Sequence, residues 1–200
     1  MKWLLVHYGN DPLGEAWHRC FDGQPNVEIR KGDICQVQAD AIVSPANSFG
    51  FMDGGLDTVL SERFGWELQE KLQRMIAARP LKERLVGEAL VIATEDATVP
   101  WLISAPTMRV PMRLRQSVNA YLAMKAILLA AVAHSASPVI HTVAIPGLGT
   151  GCGGLDAQTA AVQMWTAFRE VVLDEGSYPP DFDAAQKSHL SLNDEIMIWD

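Results

Sequence analysis

Val143-Ala-Ile-Pro-Gly-Leu-Gly-Thr-Gly-Cys-Gly-Gly-Leu155 runs from an apolar strand into five glycines within eight positions, at 147, 149, 151, 153 and 154, and then into a helical pattern. Glycine tolerates positive φ and carries no Cβ, so successive main-chain N–H groups can converge on an anion. A loop at the carboxyl end of a strand is also where open α/β sheets bind ligands. The helix that follows adds the positive end of its dipole, worth a few tenths to about 1 kcal/mol per charge. A plain flexible turn is the alternative, but such turns usually draw on Ser, Asn or Asp. The pattern favours a phosphate cradle.

Outward from this loop, strands and helices alternate. Residues 139–145 read as the buried strand leading into it, and 156–172 as the helix leaving it. Upstream, short apolar runs at 3–7, 27–30, 41–43, 88–93 and 101–105 read as strands bounded by Gly, Asp or Pro. Residues 57–78 carry apolar side chains every three or four positions (Leu56, Val59, Leu60, Phe64, Leu68, Leu72, Met75), which predicts one helix ended before Pro80. Residues 114–134 predict a second long helix, with Val118, Tyr121, Leu122, Ile127 and Leu128 facing the core. In the tail, 181–190 reads as a short helix and 195–199 as an edge strand. This order predicts an α/β fold with a mostly parallel central sheet covered on both faces. With no repeat and no long linker, residues 1–200 read as a single domain.

The composition is 48% hydrophobic and 20% charged, which suits a folded globular domain. A formal net charge of −8 excludes broad, non-specific nucleic-acid binding, which relies on clustered Lys and Arg. It also means that any bound polyanion must be attracted by local main-chain dipoles. The longest apolar stretch, near 126–133, is too short for a bilayer, and residues 1–8 lack a secretion signal, so no membrane partner and a cytoplasmic setting are expected. Cys20, Cys35 and Cys152 form neither a disulfide framework nor a zinc pattern, and the five histidines show no metal spacing. His141 reads as a structural strand residue and Cys152 as a small buried one, with no base nearby to activate it.

Two familiar phosphate motifs fit poorly. Gly149-Thr-Gly-Cys-Gly-Gly154 satisfies G-x-G-x-x-G, and Asp174 stands near the spacing of a ribose-binding acid. That fingerprint belongs on the first strand of a dinucleotide fold, however, and here at most one short strand remains. A Walker loop is excluded because no Gly-Lys-Ser/Thr follows the glycines. A second constellation lies upstream: Lys31-Gly-Asp-Ile34, Asp40-Ala-Ile-Val-Ser-Pro-Ala-Asn47, and Ser48-Phe-Gly-Phe-Met-Asp-Gly-Gly-Leu-Asp57. Asn47, just past a buried strand, has an amide able both to donate to and accept from a sugar hydroxyl, or it is a turn residue. Gly54 and Gly55 open the next helix as a second place for close phosphate approach. Asp57 falls in that helix's first turn, where it is either functional or a plain cap.

Taken in order, Gly32-Asp-Ile34, Ala41-Ile-Val-Ser-Pro-Ala-Asn47 with Gly54-Gly-Leu-Asp57, and Pro146-Gly-Leu-Gly-Thr-Gly151 with Gly153-Gly-Leu155 resemble the macro domain family. The resemblance covers about residues 27–172, leaving the N-terminal segment and the tail as additions. The glycine loop and Ala105-Pro-Thr107 are most similar to the macro domains of bacterial toxin–antitoxin systems that remove ADP-ribose from DNA. The resemblance implies a three-layer αβα sandwich with a cleft for ADP-ribose. By analogy Asp33 would bind the adenine amino group and the backbone of Ile34 would support the ring. Asn47 would hold the distal ribose. Gly54 and Gly55 would enclose the diphosphate together with Gly147, Leu148, Gly149, Thr150, Gly151 and Cys152.

The branch of the family that removes ADP-ribose from acidic side chains has an Asn and an Asp ten positions apart, as Asn47 and Asp57 are. Such a carboxylate can activate water, a role worth typically 10²–10⁴-fold. The DNA-directed branch uses a Lys after its Pro-Thr; this chain has Met108 there, then Arg109, and methionine supplies neither a base nor a covalent adduct. The expected function is ADP-ribose binding with hydrolysis of an ADP-ribosyl linkage, or of a related 1″-ester, without metal or redox cofactor. Its partner would be ADP-ribose or an ADP-ribosylated macromolecule. A non-catalytic reader of ADP-ribose is the alternative, and a nicotinamide-dependent oxidoreductase a more distant one. Asp53 and Asp156 stand beside the glycines as auxiliary carboxylates or solvated loop residues. For the aromatic residue that often flanks the adenine, the tail offers Phe182.

Overall fold

The computed structural model describes residues 1–134 and 136–193. Strands β1 (Lys2–His7), β2 (Val27–Lys31), β3 (Ala41–Ser44), β4 (Leu90–Ala93), β5 (Trp101–Ser104) and β6 (Thr142–Ile145) form one sheet in the order β2-β1-β6-β3-β5-β4. Neighbouring strands are parallel except β4, which runs antiparallel to β5 at one edge. The carboxyl ends of the five parallel strands therefore open on the same side.

Alternation of side chains along each strand explains the two cores. Trp3, Leu5, Val43, Ile103, Val143 and Ile145 point to one face, where they pack with helices α1 (Asp11–Cys20), α4 (Asn119–Ala133) and α5 (Ala157–Val171). Leu4, Val6, Ile42, Leu102 and Ala144 point to the other, against α2 (Leu56–Phe64) and α3 (Glu67–Ala77). The strands carry apolar residues on both faces because both faces are covered. This is the mostly parallel, helix-flanked α/β architecture expected from the sequence. Each fully buried Leu, Ile or Phe contributes about 1.5–3 kcal/mol of transfer free energy. Helix α6 (Phe182–Leu190) follows on the surface, with none of its residues buried.

Several boundaries differ from expectation. The helix expected over 57–78 is two helices, broken at Gly65, whose φ of 90° is left-handed and stops helix propagation. The break rephases the apolar face: Leu68, Leu72 and Ile76 are buried while Val59 and Met75 are exposed. The helix expected from 114 begins at Asn119, because Leu114 N–H donates to Gly153 O and Ser117 Oγ donates to Leu114 O. Residues 114–118 thus fasten the glycine loop instead of extending α4, and Val118, Tyr121 and Leu122 are only half-buried. Strand β4 starts two residues late because Glu88 turns away to accept two 2.7 Å hydrogen bonds from Arg79. His141 lies outside β6 and is exposed, its N–H donating to the Asp40 carboxylate at 2.8 Å, which corrects its reading as a strand residue. The edge strand expected at 195–199 falls outside the described residues.

Candidate functional site: a two-chambered cleft at the strand ends

Two cavities lie along the carboxyl ends of the parallel strands. One, of about 640 Å³, is walled by the turns after β3, β5 and β6. The other, of about 550 Å³, is walled by the turns after β1, β2 and β6. Both are lined by Gly55, Leu56, Gly147, Thr150 and Gly151, so they form two chambers of a continuous cleft that narrows between helix α2 and the glycine loop. Such volumes suit a small organic ligand.

At the narrowing the main chain is unusually free. Gly154 N–H donates to Gly151 O and Leu155 N–H to Gly149 O, which fold the end of the glycine loop. Among the described residues, none of the amides from 147 to 153 donates to a protein acceptor. Close packing fixes the loop's shape: a Cβ on Gly153 would lie 2.5 Å from Gly149 O. Across the cleft, α2 begins at Gly55 without a side-chain cap, and the amides of Gly54, Gly55 and Leu56 are likewise unengaged. Helix N-termini and free amides of this kind attract anions without any cationic side chain. Leu148 is fully buried, while Cys152 is exposed, which corrects its reading as a buried residue.

In the larger chamber Asp57 is only 6% exposed, and Ser44 Oγ donates to its Oδ1 at 2.6 Å. Burial pushes the Asp57 carboxyl up to about 6 from 3.8, against the opposing pull of the Ser44 hydroxyl. Asn47 borders the same chamber, but its amide is folded into its own turn. Nδ2 donates to Phe51 O at 2.7 Å, and Oδ1 accepts from Phe49 N–H at 3.0 Å and Phe51 N–H at 3.3 Å. The side chain therefore holds residues 47–51 in shape and keeps one N–H for a ligand. Met108, only 8% exposed, forms a parallel bridge with Asn47 and supplies an apolar wall of the chamber. Arg109 turns outward to Glu83 at 2.7 Å and lies over the Phe49 ring. Asp53 borders the chamber from an exposed position. Asp156 caps α5, its Oδ1 accepting from Thr159 N–H at 2.9 Å.

In the smaller chamber Asp33 is exposed and caps a 3-10 turn (Ile34–Gln36), with Oδ1 accepting from Cys35 N–H at 2.8 Å and Oδ2 open. Ile34 is buried beside it with its N–H unengaged. Of the residues singled out from the sequence, Asn47, Asp53, Gly54, Gly55, Asp57, Gly147, Gly149, Thr150, Gly151 and Cys152 line the larger chamber and Asp33 and Ile34 the smaller, while Leu148 and Asp156 line neither. Phe182 is not among the walls of the cleft; it stands on α6, 74% exposed. Asp174 follows α5, a 15-residue helix about 22 Å long, and so lies far from the loop that a dinucleotide reading would pair it with. Sequence reasoning missed Ser44, although a lone hydroxyl closing the apolar run Ala41-Ile-Val-Ser44 was a usable signal. It also missed Tyr8 and the apolar lip formed by Phe51 and Val110, for which single exposed residues give no pattern.

Fold and cleft define an α/β domain with unengaged main-chain amides at its strand ends. The profile of the Macro domain family matches residues 43–164, and the chain belongs to that family. An uncharacterized protein of Aquifex aeolicus is 32% identical over 145 residues, covering 72% of this chain and 82% of its own. The DNA ADP-ribosyl glycohydrolase of Mycobacterium tuberculosis is 29% identical over 159 residues, covering 77% of this chain but 42% of its own length. Among solved structures, the Oceanobacillus iheyensis macrodomain with ADP superposes with a TM-score of 0.61 at 16% identity, covering 78% of this chain and 85% of its own. No helix among the described residues is long and apolar enough to cross a membrane.

Proposed function

We propose that this chain binds ADP-ribose along the cleft and hydrolyses an ADP-ribosyl linkage, or a related 1″-ester, at its Asp57 end. The observation that carries the reading is the run of unengaged amides between the two chambers, facing the free N-terminus of α2. The diphosphate lies at that narrowing, on Gly54, Gly55, Gly147, Leu148, Gly149, Thr150, Gly151 and Cys152. The adenosine occupies the Asp33–Ile34 chamber, where Oδ2 accepts from the exocyclic amine. The distal ribose enters the larger chamber beside Asn47 and Asp57. The same reading takes residues 1–200 as one macro domain.

In the hydrolytic step a water oxygen attacks the anomeric carbon and the Asp57 carboxylate takes its proton. The bond to the modified group breaks, and that group leaves with a proton from the Asp57 acid or solvent. A carboxyl raised to about 6 suits a base working near neutrality. The glycine loop resembles the DNA-directed branch, but Met108 removes the lysine of that branch, so the chemistry is placed on Asp57.

Two observations favour the reader instead: Asn47 is engaged within its own turn, and Asp57 is almost wholly buried. Calorimetric titration with ADP-ribose, paired with release assays on carboxylate-, arginine-, serine- and base-linked ADP-ribose, separates the two. For the hydrolase, Asp57→Ala retains binding and lowers turnover by 10²-fold or more. Wild-type binding with no release from any linkage means a reader, and no wild-type binding ends both.

A further inference from the structure

We infer that Tyr8, in the turn joining β1 to α1, is the platform on which the base of the bound nucleotide stacks. This rests on the ligand reading above, and it places a base-binding residue in front of the stretch 43–164 that matches the family.

The placement follows from how the strand ends are tied together. β1 and β2 pair in parallel with His7 opposite Lys31, and Gly32 N–H donates to His7 O at 3.0 Å. This sets the turn bearing Tyr8 beside the turn bearing Asp33 and Ile34. An ion pair between Lys31 Nζ and Asp11 at 2.8 Å links the start of α1 to the end of β2. His7 itself forms a rigid floor. Its ring is 8% exposed and meets Trp17 edge-on at 6.3 Å, and Gly14 leaves it room, since a Cβ there would lie 2.4 Å from Nε2.

Tyr8 is 82% exposed, has no hydrogen-bond partner among the described residues, and borders the 550 Å³ chamber. His7 is the other aromatic ring on that chamber's wall and is covered on its far side, so Tyr8 alone offers an open π-face. The polar groups there are complementary to the edge of a purine: a carboxylate oxygen accepts from an exocyclic amine and a main-chain N–H donates to a ring nitrogen. A ring held at its edge by Asp33 and Ile34 leaves its face to be covered, and base–aromatic stacking is how an open π-face does so. The larger chamber has its own exposed ring, Phe51, but the buried acid Asp57 makes that the ribose end.

The test is calorimetric titration of wild type, Tyr8→Ala and Tyr8→Phe with ADP-ribose, with ADP, and with inorganic diphosphate as the base-free probe. Tyr8→Ala is expected to weaken ADP-ribose and ADP by at least about fivefold, since stacking on a side chain accounts for roughly five- to 150-fold per base. Tyr8→Phe should stay within about twofold of wild type, because it keeps the ring, and diphosphate should bind all three alike. Equal ADP-ribose affinity in wild type and Tyr8→Ala overturns the inference while leaving the ligand reading intact. A Tyr8→Phe as weak as Tyr8→Ala overturns stacking in favour of the hydroxyl, and a matching loss for diphosphate places Tyr8 in the phosphate site instead. Failure of wild type to bind ADP-ribose overturns both readings. Thermal unfolding midpoints confirm that the exposed substitution leaves the fold unchanged.

Discussion

Asp57→Asn separates the electrostatic cost of the buried acid from every other effect of changing it. In the folded chain the carboxyl is 6% exposed, has one hydroxyl donor in Ser44, and is raised by burial to about 6 from 3.8. The unfolded chain titrates near the lower value. Between the two, the native state holds more protons than the unfolded state, so this group makes stability fall as pH rises. Below 3.8 both states are neutral and the penalty vanishes; above about 6 the native state carries a buried carboxylate and the penalty is complete, on the order of 3 kcal/mol. Asparagine keeps an Oδ1 for Ser44 and does not titrate. An amide N–H left without an acceptor costs about 1–3 kcal/mol, but equally at every pH. The difference in unfolding free energy, variant minus wild type, should therefore rise by most of that ~3 kcal/mol between about pH 4 and about pH 7. Urea unfolding across this range, followed by the fluorescence of the six tryptophans and extrapolated linearly, measures it. A flat difference, or one that falls with pH, refutes the assignment of a raised carboxyl to this site.

Gly153→Ala drives a Cβ to within 2.5 Å of Gly149 O and 2.9 Å of Leu114. It should lower stability by about 1–3 kcal/mol and ADP-ribose affinity by roughly tenfold or more, read by thermal unfolding and calorimetry. Gly151→Ala, with nothing within 4 Å of its Cβ, should unfold at the wild-type temperature. Asn47→Ala removes three hydrogen bonds from the turn 47–51, so the Phe49 and Phe51 amides should exchange with deuterium faster and stability should fall by about 1–3 kcal/mol. Unchanged exchange at those two amides would show that the turn holds itself without Asn47.

The sheet and the glycine loop were legible in the sequence because they rest on local rules. Continuous apolar runs such as Leu4-Leu-Val6 and Ala41-Ile-Val43 belong to strands buried on both faces, and five glycines in eight positions leave few other uses. What was not legible depended on tertiary partners. Residues 114–118 have helical composition, yet the hydrogen bond from Leu114 N–H to Gly153 O outweighs their propensity. Gly65 was hidden by an apolar spacing that ran through it, and the break showed only in which side chains are covered. Asp57 was identified by its distance from Asn47, but its raised carboxyl arises from burial behind β3, which outweighs the opposing hydrogen bond from Ser44, and spacing encodes neither contact. Asn47 was expected either to serve a ligand with its amide or to be a turn residue; the structure engages both ends of that amide in the turn.

If the cleft of this acidic chain takes a polyanion, as proposed, the attraction has to come from its local geometry. The net charge of −8 is spread over the surface, and charges more than about 8–10 Å apart are largely screened at physiological salt. Of the cationic side chains beside the cleft, Arg109 pairs with Glu83, whereas Arg113 Nη1 donates to Cys152 O at 3.0 Å and keeps its charge beside the loop. What faces the narrowing is a set of fixed N–H dipoles from two segments, at contact distance from any ligand there and oriented before it arrives. Short-range, unscreened dipoles outweigh distant, screened charges at such a place. The cluster also requires that side chains be absent, because a single Cβ at Gly153 would displace the carbonyl that folds the loop. On the proposed reading, clustered glycine, which ordinarily weakens a fold through backbone entropy, is the feature that would let an acidic surface hold an anion.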